Sequence, residues 1–294
     1  MAGIKIGISG WRYKPWRGVF YPHDLTQKRE LEYASRAMQT IEINGSFYSL
    51  QNPERYASWY AATPRDFVFS VKAPRYVTHI LRLREAETAM ANFFASGLFN
   101  LKEKLGPILW QFPPTMKFDP DTFESFLQLL PTNTIAASEL AQRHDDHVEE
   151  RMQLHPDKSR RLRHAVEIRH QSFVTSEFIN LLHQYKVALV VADAAHKWPL
   201  YENITSDFMY LRLHGEEELY ASGYTDSALE FWATRIATWH RGGQVDDARL
   251  IETDRAGRRI KSRPVFCYFD NDIKVHAPFD AIKLRELIGE NLPK

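Results

Sequence analysis

Eight short runs rich in β-branched and aromatic residues recur along this 294-residue chain, and a longer run with helix-spaced apolar residues lies between most of them. The predicted strands are Ile4–Ser9, Thr40–Asn44, Phe67–Lys72, Ile108–Phe112, Ala165–Arg169, Val187–Asp193, Phe208–His214 and Val265–Asp270. The predicted helices are Leu31–Met38, Glu54–Ala62, Glu85–Leu105, Asp121–Leu130, Ser176–Tyr185, Ala228–His240 and Ala281–Ile288. Strands that alternate with helices form parallel sheets with right-handed crossovers. Eight such units predict an α/β fold, a (β/α)8 barrel of the TIM type.

We expect residues 1–294 to form one barrel domain. A doubly wound open sheet is the alternative, but its first turn needs a glycine pattern that Gly7-Ile8-Ser9-Gly10-Trp11 does not match. Residues 141–164 are polar and are predicted to be a solvated insertion before the fifth strand. Residues 253–263 are predicted to be a basic loop that could contact an anionic partner. The cations of that loop are Arg255, Arg258, Arg259, Lys261 and Arg263.

Composition excludes several classes of protein. The chain is 44% hydrophobic and 26% charged, which excludes a disordered or fibrous chain, and it has no run of about 18 apolar residues that could cross a bilayer. The net charge of +1 does not favour nucleic acid or a membrane surface as the partner. We therefore expect a small-molecule substrate and a monomer or small homo-oligomer. The single cysteine, Cys267, excludes a disulfide framework, and the first residues lack a signal-peptide pattern, so we expect a cytoplasmic protein.

The predicted strands carry polar side chains on one face, which is unusual for parallel strands that are buried on both sides. Alternate residues point to opposite faces, so Glu42 and Asn44 lie opposite Ile41 and Ile43. Because the surrounding helices must pack on an apolar face, we expect the polar series to line the barrel interior. The other series predicted to point inward are Ser70 and Lys72; Ala165, Glu167 and Arg169; Leu189, Val191 and Asp193; Tyr210, Arg212 and His214; and Phe266, Tyr268 and Asp270.

The ionisable members of these series come late in their strands, at the end where TIM-type barrels carry their active sites. They are Glu42, Lys72, Glu167, Arg169, Asp193, Arg212, His214 and Asp270. Buried charges are costly unless they are paired, so these groups must pair with one another, bind a ligand or stay hydrated. A structural ion-pair network is one interpretation. We favour a functional pocket, because ionisable clusters in clefts are enriched at functional sites.

Motifs around these positions resemble a known family. They are Gly7-Ile8-Ser9-Gly10-Trp11-Arg12-Tyr13 with Trp16 and Phe20-Tyr21-Pro22, Glu42-Ile43-Asn44-Gly45-Ser46-Phe47-Tyr48, Phe69-Ser70-Val71-Lys72-Ala73-Pro74 with Thr78-His79, Gly106-Pro107-Ile108-Leu109-Trp110-Gln111-Phe112-Pro113-Pro114, Val166-Glu167-Ile168-Arg169-His170, Ala192-Asp193, Leu211-Arg212-Leu213-His214-Gly215 and Tyr268-Phe269-Asp270-Asn271-Asp272. In this order, over essentially the whole chain, they resemble the YecE-like family, the domain of unknown function numbered seventy-two. The resemblance implies a TIM-type barrel and no established reaction. The family pattern has Asn where this chain has Asp270.

We predict an enzyme, a hydrolase, lyase or isomerase, that uses acid–base chemistry on a small polar, anionic substrate at the carboxyl ends of the strands. The catalytic candidates are Glu42, Lys72, Glu167 and His214. A lysine there can act as a base, a Schiff-base nucleophile or an anion clamp, and arginine forks bind carboxylate or phosphate bidentately. The substrate-binding candidates are Trp11, Asn44, Phe47, Tyr48, Gln111, Arg169, Asp193, Arg212, Asp270 and Asn271. No phosphate-loop or dinucleotide pattern is present, so no organic cofactor is predicted.

Three other functions remain open on the sequence. Glu167, Asp193, His214 and Asp270 come from four consecutive strands and could hold a divalent metal such as Mg, Mn or Zn, as in sugar isomerases and epimerases. Glu42 and Glu167 could serve as the two carboxylates of a glycosidase. The aromatic residues that could floor such a sugar site are Trp11, Phe47, Tyr48, Trp110 and Phe112. The third possibility is a barrel that binds a ligand or nucleic acid without catalysis.

Overall fold

The computed structural model describes residues 3–251 and 260–291 and confirms the predicted barrel. Its strands are β1 (Ile4–Ser9), β2 (Thr40–Ile43), β3 (Val68–Lys72), β4 (Leu105–Gln111), β5 (His164–Glu167), β6 (Ala188–Asp193), β7 (Met209–Leu213) and β8 (Val265–Phe269). Neighbouring strands pair in parallel in chain order, and β8 pairs with β1, so the sheet closes on itself. The carboxyl ends of all eight strands therefore meet at one mouth.

Helices surround this barrel and connect its strands. Those of the described residues are α1 (Glu30–Ala37), α2 (Gly45–Tyr48), α3 (Pro53–Ala62), α4 (Glu87–Ala95), α5 (Pro120–Leu129), α6 (Thr134–Ala141), α7 (Ser176–Tyr185), α8 (Asp226–His240) and α9 (His276–Asn291). The predicted single helix over Glu85–Leu105 is wrong, because Gly97 with φ +109° separates α4 from a 3-10 segment at Leu98–Lys104. A Cβ on Gly97 would lie 2.5 Å from Pro53 Cα, so the close approach of α3 requires glycine.

Side-chain caps fix the start of several helices. Asn52 accepts a hydrogen bond from the Arg55 amide at 2.9 Å, and Asp119 accepts one from the Thr122 amide at 2.8 Å. Each of these caps precedes a proline at the first helical position, where the missing N–H costs no helical hydrogen bond. The cap of α7 is Thr175, the residue immediately before the helix. These caps set where each crossover leaves the barrel.

The two faces of the strands carry different chemistry. Large apolar side chains such as Ile41, Ile43 and Val166 face outward and join the core under the helices. The interior holds a separate apolar layer that includes Tyr210 and Tyr268. The buried polar groups Glu42, Glu167 and Arg212, with Lys72 beside them, lie above that layer, toward the mouth. The predicted inward direction of the polar series is therefore confirmed for β2, β5 and β7.

The predicted orientation of β6 is wrong. Leu189 and Val191 belong to the outer core, whereas Ala188, Val190 and Ala192 belong to the interior layer. Both faces of this strand are apolar, so its alternation carries no information about direction. Side-chain volume determines which face of β6 points inward, because small side chains leave room inside the barrel for the large residues of the neighbouring strand.

Two segments outside the barrel also bear on function. Arg255, Arg258 and Arg259 of the predicted basic loop lie outside the described residues. Arg263 is buried and donates hydrogen bonds to the carbonyl oxygens of Trp239 and Gly243, so it is not a surface cation as the loop prediction assumed. No helix in residues 3–251 and 260–291 is long and apolar enough to span a membrane.

Candidate active site at the barrel mouth

Arg212, at the end of β7, is the centre of the polar cluster and is fully buried. Its Nη1 lies 2.7 Å from Glu167 Oε2, and its Nη2 lies 2.8 Å from Asp270 Oδ2. Its Nε and Nη2 bind the two oxygens of Glu42 at 3.1 and 2.9 Å. The guanidinium thus donates to three carboxylates, which lie in β2, in β5 and directly after β8. Its donors are used within the protein, so the sequence-based role of Arg212 as an open anion clamp does not fit its surroundings.

Hydroxyl groups complete the shell around Glu42. Ser9 Oγ donates to Glu42 Oε1 and accepts a hydrogen bond from Arg212 Nη2 at 3.2 Å. Tyr210 OH donates to Glu42 Oε2 at 2.6 Å and also bonds Ser70 Oγ at 2.7 Å. Both Glu42 oxygens therefore have strong partners, which is the condition for keeping a carboxylate in a dry interior.

Neighbouring arginines lower the pKa values of the other two carboxylates. Burial alone would raise the pKa of Glu167, but the guanidinium groups of Arg169 and Arg212 hold that pKa well below its usual value. Burial likewise opposes ionisation of Asp270, and Arg212 together with His214 and Lys72 outweighs burial, so the pKa of Asp270 is lowered. Glu167 and Asp270 are therefore negative at neutral pH and are held by cations.

His214 lies in the same cluster without a well-made hydrogen bond. Its Nδ1 is 3.1 Å from Asp270 Oδ2, and its Nε2 is 3.9 Å from Glu167 Oε2. Burial, and then repulsion by Arg212, lower the pKa of His214. The imidazole is fully buried beneath Trp198 and Tyr220, whose rings meet it edge to face at 5.4 and 5.3 Å. His214 is thus a neutral side chain packed inside the cluster.

Lys72, at the end of β3, differs from the other cations of the mouth. It is 8% exposed, and its Nζ lies 4.3 Å from the centre of the Phe47 ring. Among the described residues, no carboxylate lies within 4 Å of this amine and no group accepts a hydrogen bond from it. Burial, reinforced by Arg212 and opposed by the carboxylates, lowers the pKa of Lys72 to about 8.

Arg169 and His79 lie near Lys72 on the solvent side of the mouth. Arg169 binds Glu167 Oε1 through Nε at 2.7 Å and stacks 3.6 Å above the ring of Trp198. His79 lies edge to face on Phe47, with its Nε2 3.4 Å from Gln111 Nε2. Burial, and then repulsion by Lys72 and Arg169, lower the pKa of His79 to about 4. The imidazole is therefore neutral at pH 7, mainly because it is partly buried and secondarily because cations lie nearby.

Asn44 and Phe47 join the predicted site. Asn44 donates to Ser9 Oγ at 3.1 Å, while its Oδ1 is buried with no hydrogen-bond partner among the described residues. Asn44 lines a cavity of about 880 Å³ beside the mouth, and Phe47 lines a neighbouring one of about 710 Å³. Asn271 serves a different purpose, because its amide binds Ser222 O and Asp280 Oδ2 at 2.9 and 2.8 Å and holds the loop after β7 in place.

Several predicted residues do not reach the mouth. Trp11 turns outward and packs edge to face on Trp59 at 5.3 Å. Tyr48 is 72% exposed on the rim. Asp193 follows the outward face of β6 and accepts a hydrogen bond from Tyr224 at 3.1 Å. Two further aromatics of the supposed sugar floor, Trp110 and Phe112, belong to the outer core.

The predicted metal set is not assembled. Asp193 faces away from the other three candidates, and the Arg212 guanidinium lies against Glu167 and Asp270. Within the described part of the chain, no three His, Cys, Asp or Glu side chains are placed to hold one metal ion. The residues present therefore do not fit the divalent-metal alternative.

The sequence-based site omitted Trp198, Tyr220, His79 and Asp272. The first two come from the loops after β6 and β7, and nothing in their spacing marks them as covering the cluster. Asp272 follows Asp270 by two residues, and burial together with the Asp270 charge raises its pKa to about 7. The position of Asp272 in the motif at the end of β8 could have marked it as a site residue. Only the three-dimensional fold brings the two loop aromatics over the cluster.

Comparison with known proteins identifies the family. The family model described as "Protein of unknown function DUF72" matches residues 5–294. The chain belongs to this family. The resemblance to the YecE-like family is thereby confirmed, because the protein YecE of Escherichia coli, a UPF0759 protein, is 23% identical over 265 residues that cover 81% of this chain and 82% of YecE. YunF of Bacillus subtilis is 29% identical over 116 residues, and that match spans 38% of this chain and 40% of YunF.

Solved structures of DUF72 family proteins share the fold. The protein from Thermotoga maritima has a TM-score of 0.72 at 22% identity, with 97% of this chain and 99% of that chain covered. The protein from Enterococcus faecalis has a TM-score of 0.67 at 17% identity, with 99% and 97% covered. At these identities the likeness establishes the barrel, and the function must be argued from the mouth itself.

Proposed function

We propose that this chain is an enzyme that binds a small anionic substrate at the barrel mouth and exchanges a proton between that substrate and Lys72. The observation that carries the proposal is the Lys72 amine, which is buried at the end of β3 and lacks an ion-pair partner among the described residues. An uncompensated buried cation costs stability. A bound anion would supply the missing partner.

Lys104 shows how the same fold treats a lysine that is only structural. It is 3% exposed and lies 4.4 Å from the centre of the Tyr60 ring, much as Lys72 lies on Phe47. Its Nζ, however, donates to Tyr60 O, Thr63 O and Thr63 Oγ1 at 2.7, 2.8 and 3.0 Å. All three of its protons are used. The contrast supports a role for Lys72 beyond packing.

The placement of the charges, and not their sum, favours an anion at this position. Three carboxylates, Glu42, Glu167 and Asp270, face three cations, Arg212, Arg169 and Lys72, so the formal charges sum to zero when Lys72 is protonated. Glu42 and Glu167 are fully buried and bound by arginine, whereas Lys72, Arg169 and Asp270 are each slightly exposed. Two of the three charged groups that an approaching ligand can reach are therefore cations.

Proton exchange requires a group that changes charge near working pH. Lys72, with its pKa lowered to about 8, meets this condition. Glu167 does not, because its pKa is held well below the usual value, and both oxygens of Glu42 are bound by Arg212. We assign these two carboxylates to positioning Arg212, and we assign His214 to packing within the cluster.

The same geometry disfavours glycoside hydrolysis. A glycosidase needs two carboxylates on either side of a sugar bond, with room for the bond between them. Here the guanidinium of Arg212 bridges Glu42 and Glu167. Those carboxylates hold an arginine where a glycosidase would hold the sugar.

A ligand panel tests the proposal. Small mono- and dicarboxylates and phosphates are added to the wild type, Lys72→Met and the matched control Lys104→Met, and the melting temperature is measured. An anion at one hundred times its dissociation constant should contribute about 2.7 kcal/mol to stability. We expect this shift in the wild type and Lys104→Met and its loss in Lys72→Met.

Turnover is then followed by proton NMR of the anion that binds. Conversion of the anion, or exchange of its protons with deuterated solvent, supports an enzyme. If the bound anion keeps all its protons and remains unchanged, the barrel is a binding protein and not an enzyme. If the anion still raises the melting temperature of Lys72→Met, the binding site lies elsewhere.

A further inference from the structure

We propose that the substrate carries a carbonyl group in addition to its anionic group, and that Lys72 forms an imine with the carbonyl carbon. The inference rests on the proposed function, since it uses the same amine and the same mouth. It narrows the substrate class to small oxo acids. It also gives Lys72 a covalent role.

The first support is the freedom of the amine. A nitrogen can attack a carbonyl carbon only if its lone pair is unoccupied and it can turn toward the ligand. Lys72 Nζ has no hydrogen-bond acceptor among the described residues, and it lies over the ring of Phe47. Lys104, bonded on three sides, lacks this freedom.

The second support is that the reaction leaves the charge of the site unchanged. The neutral amine attacks the carbonyl carbon, a proton passes from nitrogen to oxygen, and the resulting hydroxyl leaves as water after taking one more proton. The net step converts an ammonium and a carbonyl into a protonated imine and water. One positive charge is present before and after, so the balance with Glu42, Glu167 and Asp270 is kept.

The environment of that charge also suits the product. A protonated imine at the position of Lys72 Nζ would lie over the Phe47 ring, where a cation is stabilised by the ring's negative face. The carboxylates that favour the protonated form of Lys72 would also stabilise the positive charge of the imine. The proton that Lys72 gives to the carbonyl oxygen is the exchange assigned to it above.

The third support is the fraction of amine that is neutral. With its pKa lowered to about 8, about a tenth of Lys72 is unprotonated at pH 7. For a lysine with the usual pKa the fraction is roughly three hundred times smaller. Imine formation at neutral pH should therefore favour Lys72 over the exposed lysines of the chain.

Arg169 gives the anionic group of the substrate a place to bind. Its guanidinium is held by Glu167, by the Trp198 face and by a 3.3 Å hydrogen bond from Nη2 to Tyr220 OH. The Lys72 and Arg169 charges both lower the pKa of His79, so the two cations act on the same region. The side chain is 11% exposed, so its outer edge can receive a carboxylate. An oxo acid presents a carboxylate and a carbonyl on one small molecule.

Reductive trapping tests the inference. The protein is incubated with pyruvate or glyoxylate and with the uncharged carbonyl compounds acetone and acetaldehyde, and imines are reduced with cyanoborohydride. Intact mass and peptide mapping locate the adduct. We expect one adduct at Lys72 that forms at least tenfold faster with at least one oxo acid than with the uncharged compound of the same carbonyl type. We also expect it in Lys104→Met and not in Lys72→Met.

Peptide mapping of the wild type locates the adduct even if Lys72→Met folds poorly. Adducts spread over exposed lysines, with Lys72 reacting no faster than they do, overturn the inference. Lys72→Arg separates the two proposals, because it keeps the cation but cannot form an imine. If carboxylates shift the melting temperature of the wild type and no adduct forms at Lys72, the proposed function stands and the imine is refuted. If neither binding nor an adduct involves Lys72, both proposals fail.

Discussion

Removing the guanidinium at the centre of the mouth should destabilise the whole barrel. Arg212→Met deletes the donors to Glu42, Glu167 and Asp270 and the contact with Ser9. Breaking one buried pair by removing a single partner costs about 3–5 kcal/mol. Three carboxylates lose the same cation, and a typical domain has only about 5–15 kcal/mol of stability in total. We expect a loss of at least about 3–5 kcal/mol at pH 7.

The pH dependence of that loss has a defined sign. In the wild type the pKa values of Glu167 and Asp270 are lowered, so their ionisation stabilises the fold above their unfolded-state pKa values and that contribution is lost on acidification. Without Arg212, Asp270 loses the largest of the charges that lower its pKa, and we expect burial to raise that pKa above its ordinary value, whereas Glu167 keeps Arg169. The folded variant then takes up a proton at Asp270 between pH 7 and about 5, and its stability rises as the pH falls. The cost of the substitution should shrink over that interval.

Urea unfolding followed by circular dichroism at pH 7 and pH 5 measures both quantities, with the m value as a check on two-state behaviour. Arg161→Met is the control, because Arg161 pairs with Asp207 on the surface and such pairs contribute about 0–1 kcal/mol. A loss below about 1 kcal/mol for Arg212→Met at pH 7, or a cost that grows on acidification, would refute the view that Arg212 neutralises buried, ionised carboxylates.

Other predictions concern the barrel wall and its crossovers. Gly7→Ala would place a Cβ 1.8 Å from Thr40 O, so we expect a loss of at least about 1–3 kcal/mol in urea unfolding, whereas Gly3→Ala meets nothing within 4 Å and should change stability by less than about 0.5 kcal/mol. Asn52→Ala removes the cap of α3 and should cost about 1 kcal/mol, measured by the same unfolding experiment. Cys267 is fully buried and burial raises its thiol pKa, so Ellman's reagent should label it in urea and not in the native protein; rapid native labelling would show that β8 opens.

The sequence predicts the barrel because its strands carry two independent signals. Runs of β-branched residues mark where the strands lie, and the polar alternation in β2, β5 and β7 marks which side faces inward. β6 carries only the first signal. Both orientations of β6 keep apolar residues buried. The sequence pattern therefore does not determine whether Ala192 or the adjacent Asp193 points into the barrel.

The partners of each charged residue lie beyond sequence analysis for a geometric reason. Strand position places Lys72 and Arg212 at the same end of the barrel, which the sequence shows. It does not show that Arg212 spans the interior to three carboxylates, or that Lys72 stops short of them. That difference depends on the length of arginine, on its fork of donors and on the register between strands.

The stability of the mouth and the reactivity of Lys72 have one origin. Three carboxylates near an amine would ordinarily pair with it and raise its pKa, and they do oppose the lowering observed here. Arg212 occupies oxygen atoms of Glu42, Glu167 and Asp270 and also repels Lys72, so the amine stays unpaired in the same field. Only a cation that cannot give up its proton can hold this arrangement across the physiological pH range, and arginine meets that condition where a second lysine would not.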